Sequence, residues 1–265
     1  MTNTMKGTLA STLKSLVKQT LARFDIGIAR YSRLQELIDF SHDVEKLSYM
    51  GEQRADLLFN LAKRSHSQLR QDLFVLSELD FRKGGYFVEF GATDGVNLSN
   101  TYLLEKEFEW NGILAEPAKC WHDELRTNRA CHIDTNCVWS ESDKILTFNE
   151  VESAELSTID RYASGDSHRS SRERGQTYDV HTISLMNLLK KYDAPNEIDY
   201  ISIDTEGSEY EILSKFDFAK YRFKVITCEH NFTPMRESIY KLLIAHGYRR
   251  KFFALSRFDD WYVSA

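Results

Sequence analysis

The run YFVEFGATDGVNLSN, Tyr86 to Asn100, decides the fold. An apolar stretch of strand length ends in Glu89-x-Gly91, Asp94-Gly95 marks a turn, and helical sequence follows. Strand, glycine turn and helix form the opening unit of an open α/β sheet. Ligands bind such sheets beyond the carboxyl ends of the strands, where backbone amides and helix starts converge. Gly91 and Gly95 let the chain turn sharply and approach a ligand that a Cβ would block. The dinucleotide fingerprint G-x-G-x-x-G is absent. Glu89 would repel a pyrophosphate and suits a cationic ligand.

From Tyr86 onward short apolar runs alternate with helical segments, the pattern of a doubly wound sheet. Strands are predicted at YFVEF (86–90), GILAE (112–116), CHIDTNCVW (131–139), DYISID (199–204) and FKVITCE (223–229). Helices are predicted near 98–108, 118–128, 184–192, 207–215 and 234–247. Pro234 suits the first turn of the last helix, and Gly247 its end. The chain closes with YRRKFFA and DDWYVS, a strand-like antiparallel pair that a dehydrogenase's all-parallel sheet lacks.

GILAEP places Glu116 at the next strand tip, about 25 residues beyond Gly91, where an acid accepts hydrogen bonds from both ribose hydroxyls of a nucleoside. Two acids on successive strand tips suit S-adenosyl-L-methionine, whose ammonium and sulfonium are both positive. Asn136 and Cys137, beyond the third strand, are expected near the adenine. In DYISIDTEGSEYEIL, Asp204 reaches a strand tip, where it can hold substrate, bind a metal or accept a proton. Glu206 and Glu209 are read as acids favouring a helix N-terminus. VITCEHN sets Glu229, His230 and Asn231 at the adjacent tip. Beside two carboxylates, His230 is a candidate base or ligand.

EFGATDG, LAEP, HTISLMNLL, ISIDTEGSEYEIL and VITCEHN stand in the order of the FkbM-type methyltransferase family, which the chain resembles from about Gln68 to Val263. The resemblance implies an α/β, class I (Rossmann-like) fold with a mostly parallel seven-stranded sheet and an antiparallel C-terminal strand. It also implies O-methylation of a hydroxyl on a sugar, glycan or related small molecule. By position, Glu89, Gly91, Asp94 and Glu116 match the family's cofactor motifs. Asp204 and Glu206 match its acids after the fourth strand, and Glu229 a later strand-end acid. Ser184 stands where many relatives carry aspartate, and no chemical role is assigned to it.

The reaction expected is displacement at a sulfonium methyl. Asp204 orients the acceptor, and His230 or Glu229 takes its proton. The alternative is Mg²⁺ or Mn²⁺ held by Asp204, Glu229 and His230. The missing fingerprint argues against a nicotinamide-dependent oxidoreductase. A non-catalytic module on this fold, or a nucleic-acid or protein acceptor, stay open as rival readings.

The rest of the chain sets the frame. At 265 residues it allows one sizeable core and an extra segment. A net charge of −6 argues against a nucleic-acid platform, and no nucleic acid is expected. No run is apolar enough to span a membrane and no secretory signal is evident, so a cytoplasmic location is expected. The four cysteines read as reduced, mostly packed thiols. Residues 1–65 read as a helical extension to a methyltransferase domain at 66–265. Its Leu9-to-Leu21 stripe, flanked by lysines, packs on the main domain or a second subunit, or docks on an anionic membrane surface. A helical run from Arg54 to Leu76 follows, with Leu69, Phe74 and Leu76 packed and Gln68, Gln71 and Asp72 polar. Residues 160–176, DRYASGDSHRSSRERGQ, read as a surface loop. Its Arg169, Arg172 and Arg174 form a basic patch for nucleic acid or for the phosphates of a nucleotide-sugar or a lipid-linked glycan.

Overall fold

The structure is a computed structural model that describes residues 31–50, 54–151, 154–162, 172 and 175–265, with residues 31–40 described by backbone alone. The expectations for the Leu9-to-Leu21 stripe and for Arg169 and Arg174 lie outside these residues. No described helix is long and apolar enough to cross a membrane. The chain forms two compact units, residues 1–46 and 47–265. Helix α1 (Tyr31–Met50) supplies what is described of the first. Leu47 and Met50, like Leu58 and Leu61 of α2 (Ala55–Ala62), are buried in the core of the second. These four residues, read above within the extension, are therefore part of the main unit's core.

The main sheet runs in the order β10-β11-β9-β8-β1-β2-β3. Its strands are β1 (Tyr86–Phe90), β2 (Asn111–Ala115), β3 (His132–Asp134), β8 (Glu197–Ile203), β9 (Arg222–Glu229), β10 (Tyr248–Lys251) and β11 (Asp259–Ser264). Strands β1, β2, β3, β8 and β9 pair in parallel, and β11 is antiparallel to both of its neighbours. This is the α/β sheet with one reversed C-terminal strand that the sequence predicts. The apolar residues of β1 divide between two cores by the period-two alternation of a strand. Val88 and Phe90 join one buried cluster, and Phe87 joins the other on the opposite face. Each fully buried side chain of this size adds roughly 1.5–3 kcal/mol.

The predicted helices form as α4 (Tyr102–Phe108), α5 (His122–Asn128), α6 (Leu185–Lys191), α7 (Glu209–Ser214) and α8 (Met235–Ala245). Ser184 acts locally, its hydroxyl accepting from the Asn187 amide to cap α6. Three readings need correction. The 131–139 run is two strands, β3 and β4 (Cys137–Trp139), in different sheets. Strand β4 belongs to a second sheet, β4-β7-β5-β6, with β5 (Ile145–Glu150), β6 (Thr158–Ile159) and β7 (Gln176–Ser184). The 54–76 run breaks at residues 63–70 before α3 (Gln71–Glu78), because Arg70 takes a left-handed φ of 68°. Gln71 and Asp72 are buried rather than on a polar surface. The Gln71 amide donates to Asp259 at 3.0 Å and Asp72 accepts from Ser65 at 2.8 Å.

Candidate active site

The parallel strands β1, β2, β8 and β9 end together, and a cavity of about 270 Å³ opens beyond their tips. Because the strands are in register, their last residues deliver acids to one place. Glu89, Glu116, Asp204 and Glu229 all line the cavity, joined by Glu206 and Glu155. Among the described residues its wall holds six carboxylates and no lysine, arginine or histidine. The 154–157 turn, Ile159 of β6, Gln68 and Gln71 also line it.

Glu116 is buried, and its two oxygens accept backbone amides from Thr93 at 2.9 Å and Ala118 at 2.8 Å. Burial, followed by the charges of Asp204 and Glu150, pushes this carboxyl up to about 7. Each oxygen keeps a second lone pair, so a diol can still be bound. Asp204 and Glu229 hydrogen-bond to each other. Burial drives Asp204 up to about 6, and burial with the charges of Asp204 and Glu206 drives Glu229 well above the carboxyl range. Of the two, Glu229 is held more strongly in its protonated form, and Asp204 is the readier to ionise.

Glu206 completes an acid trio. One ligating oxygen from each of Asp204, Glu206 and Glu229 lies within 4.8 Å of the others. Glu206 sits at a left-handed φ of 58°, a conformation costing about 1–3 kcal/mol in a non-glycine residue. Its partners hold it there. Thr158 Oγ1 donates to its carbonyl at 2.9 Å, and Arg172 Nη2 and Asn231 Nδ2 reach its Oε2 at 2.7 and 3.1 Å. Glu206 thus faces the cavity instead of acting as a helix-start acid. Glu209 does serve the start of α7, accepting the Thr205 and Gly207 amides.

Residues 89–250, more than half of the chain, match the family model for the Methyltransferase FkbM domain. The chain belongs to the FkbM methyltransferase family. Among solved structures, the FkbM methyltransferase of Methylobacillus flagellatus KT is similar at 12% identity and a TM-score of 0.42, over 79% of this chain and 58% of that one. A precorrin-6y C5,15-methyltransferase of Geobacter metallireducens GS-15 is similar at 13% identity and a TM-score of 0.36, over 68% of this chain and 71% of that one. A SAM-dependent methyltransferase of Aquifex aeolicus is similar at 11% identity and a TM-score of 0.36, over 78% and 96%. Comparison with curated proteins gives no match.

In this FkbM methyltransferase several expected residues have other neighbours than the sequence suggests. Glu89 borders the cavity, yet its carboxylate accepts from the Asn100 amide, Ser99 and Thr101 and lies 3.8 Å from Arg129. Asp94 caps its own turn, taking the Val96 and Asn97 amides at 2.8 Å. Gly95, at φ 79°, faces α5: a Cβ there would meet Arg129 and Leu125 side-chain atoms at 2.6 and 2.7 Å, not a ligand. Asn136 folds its amide back on Asp134 at 2.8 Å, and Cys137 is the residue that lines the cavity. His230 does not join the two acids. Its Nδ1 accepts the Phe232 amide, and its buried Nε2 lies 3.8 Å from Asp260 with no hydrogen-bond partner. Burial pushes that imidazole down to about 4, so it is neutral at pH 7. The third carboxylate beside Asp204 and Glu229 is Glu206, which the sequence pattern places on a helix start. The missed partner is Arg172, whose side chain is fully buried against Glu206. Its distance of 34 residues from Glu206 hides it, since nothing in a polar loop marks one arginine as buried.

Proposed function

We propose that the cavity binds S-adenosylmethionine and presents its methyl group to a hydroxyl of a small, glycan-like acceptor. The observation that carries this reading is the cavity wall, whose charged side chains among the described residues are all acids, with Glu116 at the β2 tip. Such a wall favours a cationic nucleoside and disfavours a phosphate-bearing coenzyme. When bound, S-adenosylmethionine would supply a methyl group on a positive sulfur. Glu116 would accept from the ribose, with Thr93 and Ala118 fixing its orientation. Gly91, Asn100 and the start of α3 would border the methionine end, and Cys137 and Val138 the base. Asp204, the readier of the pair to ionise, would take the acceptor's proton, while Glu206 and Asn231 orient the acceptor.

A metal reading of the same acids needs Glu206 in place of His230, and Arg172 already neutralises Glu206 at 2.7 Å. The metal-free reading is therefore preferred. The same wall favours an acceptor whose reacting end carries neither phosphate nor carboxylate, such as a neutral or amino sugar. Calorimetry with S-adenosylhomocysteine tests the donor site: binding is expected, and Glu116→Ala should weaken it by about 2 kcal/mol, the loss of a hydrogen-bonded charge. Normal binding by that variant overturns the ribose assignment. For the acceptor, methyl-labelled donor with a panel of neutral and phosphorylated sugars should label the neutral ones. Labelling of nucleic acid or protein alone would refute the glycan reading.

A further inference from the structure

Arg172 comes from a segment that resembles solvent-exposed loop, yet it is one of the most enclosed charges in the described protein. Its side chain has no exposure, and Nη2 lies 2.7 Å from Glu206 Oε2. The geometry that brings it there is built. Nε donates to the Leu156 carbonyl at 2.7 Å, in the turn that walls the cavity. The Arg172 carbonyl accepts from the Asn149 side chain at 3.1 Å and from the Gly175 amide at 3.3 Å. Gly175 itself cannot be replaced without a clash, because a Cβ there would stand 1.6 Å from Asn149 Oδ1. The guanidinium is thus tied to the 154–157 turn and the backbone to β5 and the residue before β7, while Nη2 pairs with Glu206 of the acid trio.

We propose that Arg172 is the resident cation of this acid trio, a positioning residue that fills the electrostatic role a divalent ion plays in metal-assisted transfer. The charge balance supports this. Asp204, Glu206 and Glu229 bring three carboxyl groups together at the strand tips. Three carboxylates within 4.8 Å of one another, two of them on buried residues, need compensation, from protons, a metal or a cation of the chain. Arg172 supplies it, and its fork is fixed by Leu156, so it cannot swing out as a flexible lysine could. It reaches Glu206 from behind the wall and does not itself line the cavity, so the face shown to the acceptor stays acidic. The 154–157 turn and β5, which hold Arg172, are thereby coupled to the strand tips. Any acceptor that presses on the 154–157 turn also presses on the bond that holds Glu206.

The inference rests on the acceptor reading of this cavity, but its test does not use turnover. Full-length protein is titrated with Mn²⁺ at neutral pH, following the free ion by electron paramagnetic resonance. Wild type should bind no stoichiometric Mn²⁺. Arg172→Ala should gain one site, tighter than any wild-type binding by on the order of tenfold or more, because ligand charge sets divalent affinity. The double variant Arg172→Ala with Glu206→Gln should lose that site again. Calorimetry with S-adenosylhomocysteine on each variant shows whether the fold and donor site survive. Should Arg172→Ala fail to fold, Arg172→Met, which keeps the apolar stem, takes its place, and the wild-type titration decides alone if neither folds. Stoichiometric Mn²⁺ on wild type that Asp204→Asn abolishes would overturn the proposal. So would a folded Arg172 variant with no gain in Mn²⁺ affinity. Failure of wild type to bind S-adenosylhomocysteine would instead strike the donor reading and leave these outcomes unaffected.

Discussion

The carbonyl oxygen of Asp204 stands 2.2 Å from the point a Cβ on Gly91 would occupy. The tips of β1 and β8 approach each other so closely at this place that the first glycine of the turn is needed for packing between strands. Its φ of 70° adds a second reason, since a side chain in that region is strained. Gly91→Ala should lose roughly 2–4 kcal/mol of stability, from backbone strain and overpacking together. Urea denaturation measures it, and S-adenosylhomocysteine binding should fall with it because Asp204 shifts. A variant as stable as wild type would show that the strand tips can part.

The same glycine shows how far the sequence can be read. Glu89-x-Gly91, Glu116, Asp204 and Glu229 each follow an apolar run, and parallel pairing brings the ends of such runs together, so the sheet and its acid rim were legible. What each side chain touches was not. Asp94 and Asn136 turn back on their own loops because short polar side chains bond nearby backbone and neighbours. Arg172 reaches Glu206 through a polar segment with no periodicity to announce it. The second sheet escapes notice for a related reason: QTYDVHTIS mixes polar residues with a few inward ones, and its strands make sense only when paired with β5.

Glu116 gives a dependence on pH. Its carboxyl, pushed up to about 7, must be ionised to accept two hydroxyl donors most strongly. Affinity for S-adenosylhomocysteine should therefore rise between pH 6 and pH 8, and Glu116→Gln should flatten the curve while lowering it. Calorimetry at several pH values checks this. An affinity that is level or falling across that range would place the carboxylate elsewhere than on the ribose.

Asp259 makes the unliganded protein less stable in alkali. It is buried, accepting from Gln71 and from the Trp261 indole at 3.0 Å, and burial pushes it up to about 8. Unfolded aspartate releases its proton near 3.9. Between those values the folded chain holds a proton that the unfolded chain has lost, so stability declines as pH rises towards 8. From pH 7 to pH 8.5 this residue alone should remove about 1 kcal/mol. Asp72, pushed up to about 7 by burial, acts in the same direction at slightly lower pH. Thermal unfolding of Asp259→Asn should show a smaller drop over that interval than wild type. Equal drops would mean that Asp259 is ionised throughout.

Arg129 holds the glycine turn together. Its buried guanidinium donates to the Gly95 carbonyl at 3.0 Å, Ser99 at 3.1 Å, Thr101 at 2.8 Å and Glu105 at 2.7 Å. Removing it takes the nearby cation from Glu89 and leaves Glu105 with Lys106 alone, a loss of about 3–5 kcal/mol. Arg129→Met should thus unfold at markedly lower urea, and any folded fraction should bind S-adenosylhomocysteine weakly. Lysine in its place should restore charge without the fork and recover part of the stability. Full stability in the methionine variant would show that Glu89 had taken up a proton at no expense.

His230 and Asp204 separate two schemes for proton removal. The imidazole stands next to the cavity residue Asn231, but its nitrogens face the Phe232 amide and Asp260, and it is already neutral at pH 7. Asp204 lines the cavity and shares a proton with Glu229. With an acceptor that turns over, Asp204→Asn should lower kcat by about 10²–10⁴-fold, the usual worth of a positioned base. His230→Asn should stay within a few-fold of wild type in kcat. If the histidine variant loses activity while the aspartate variant keeps it, then the imidazole turns into the cavity when the acceptor binds, and the carboxylate pair serves only to hold it.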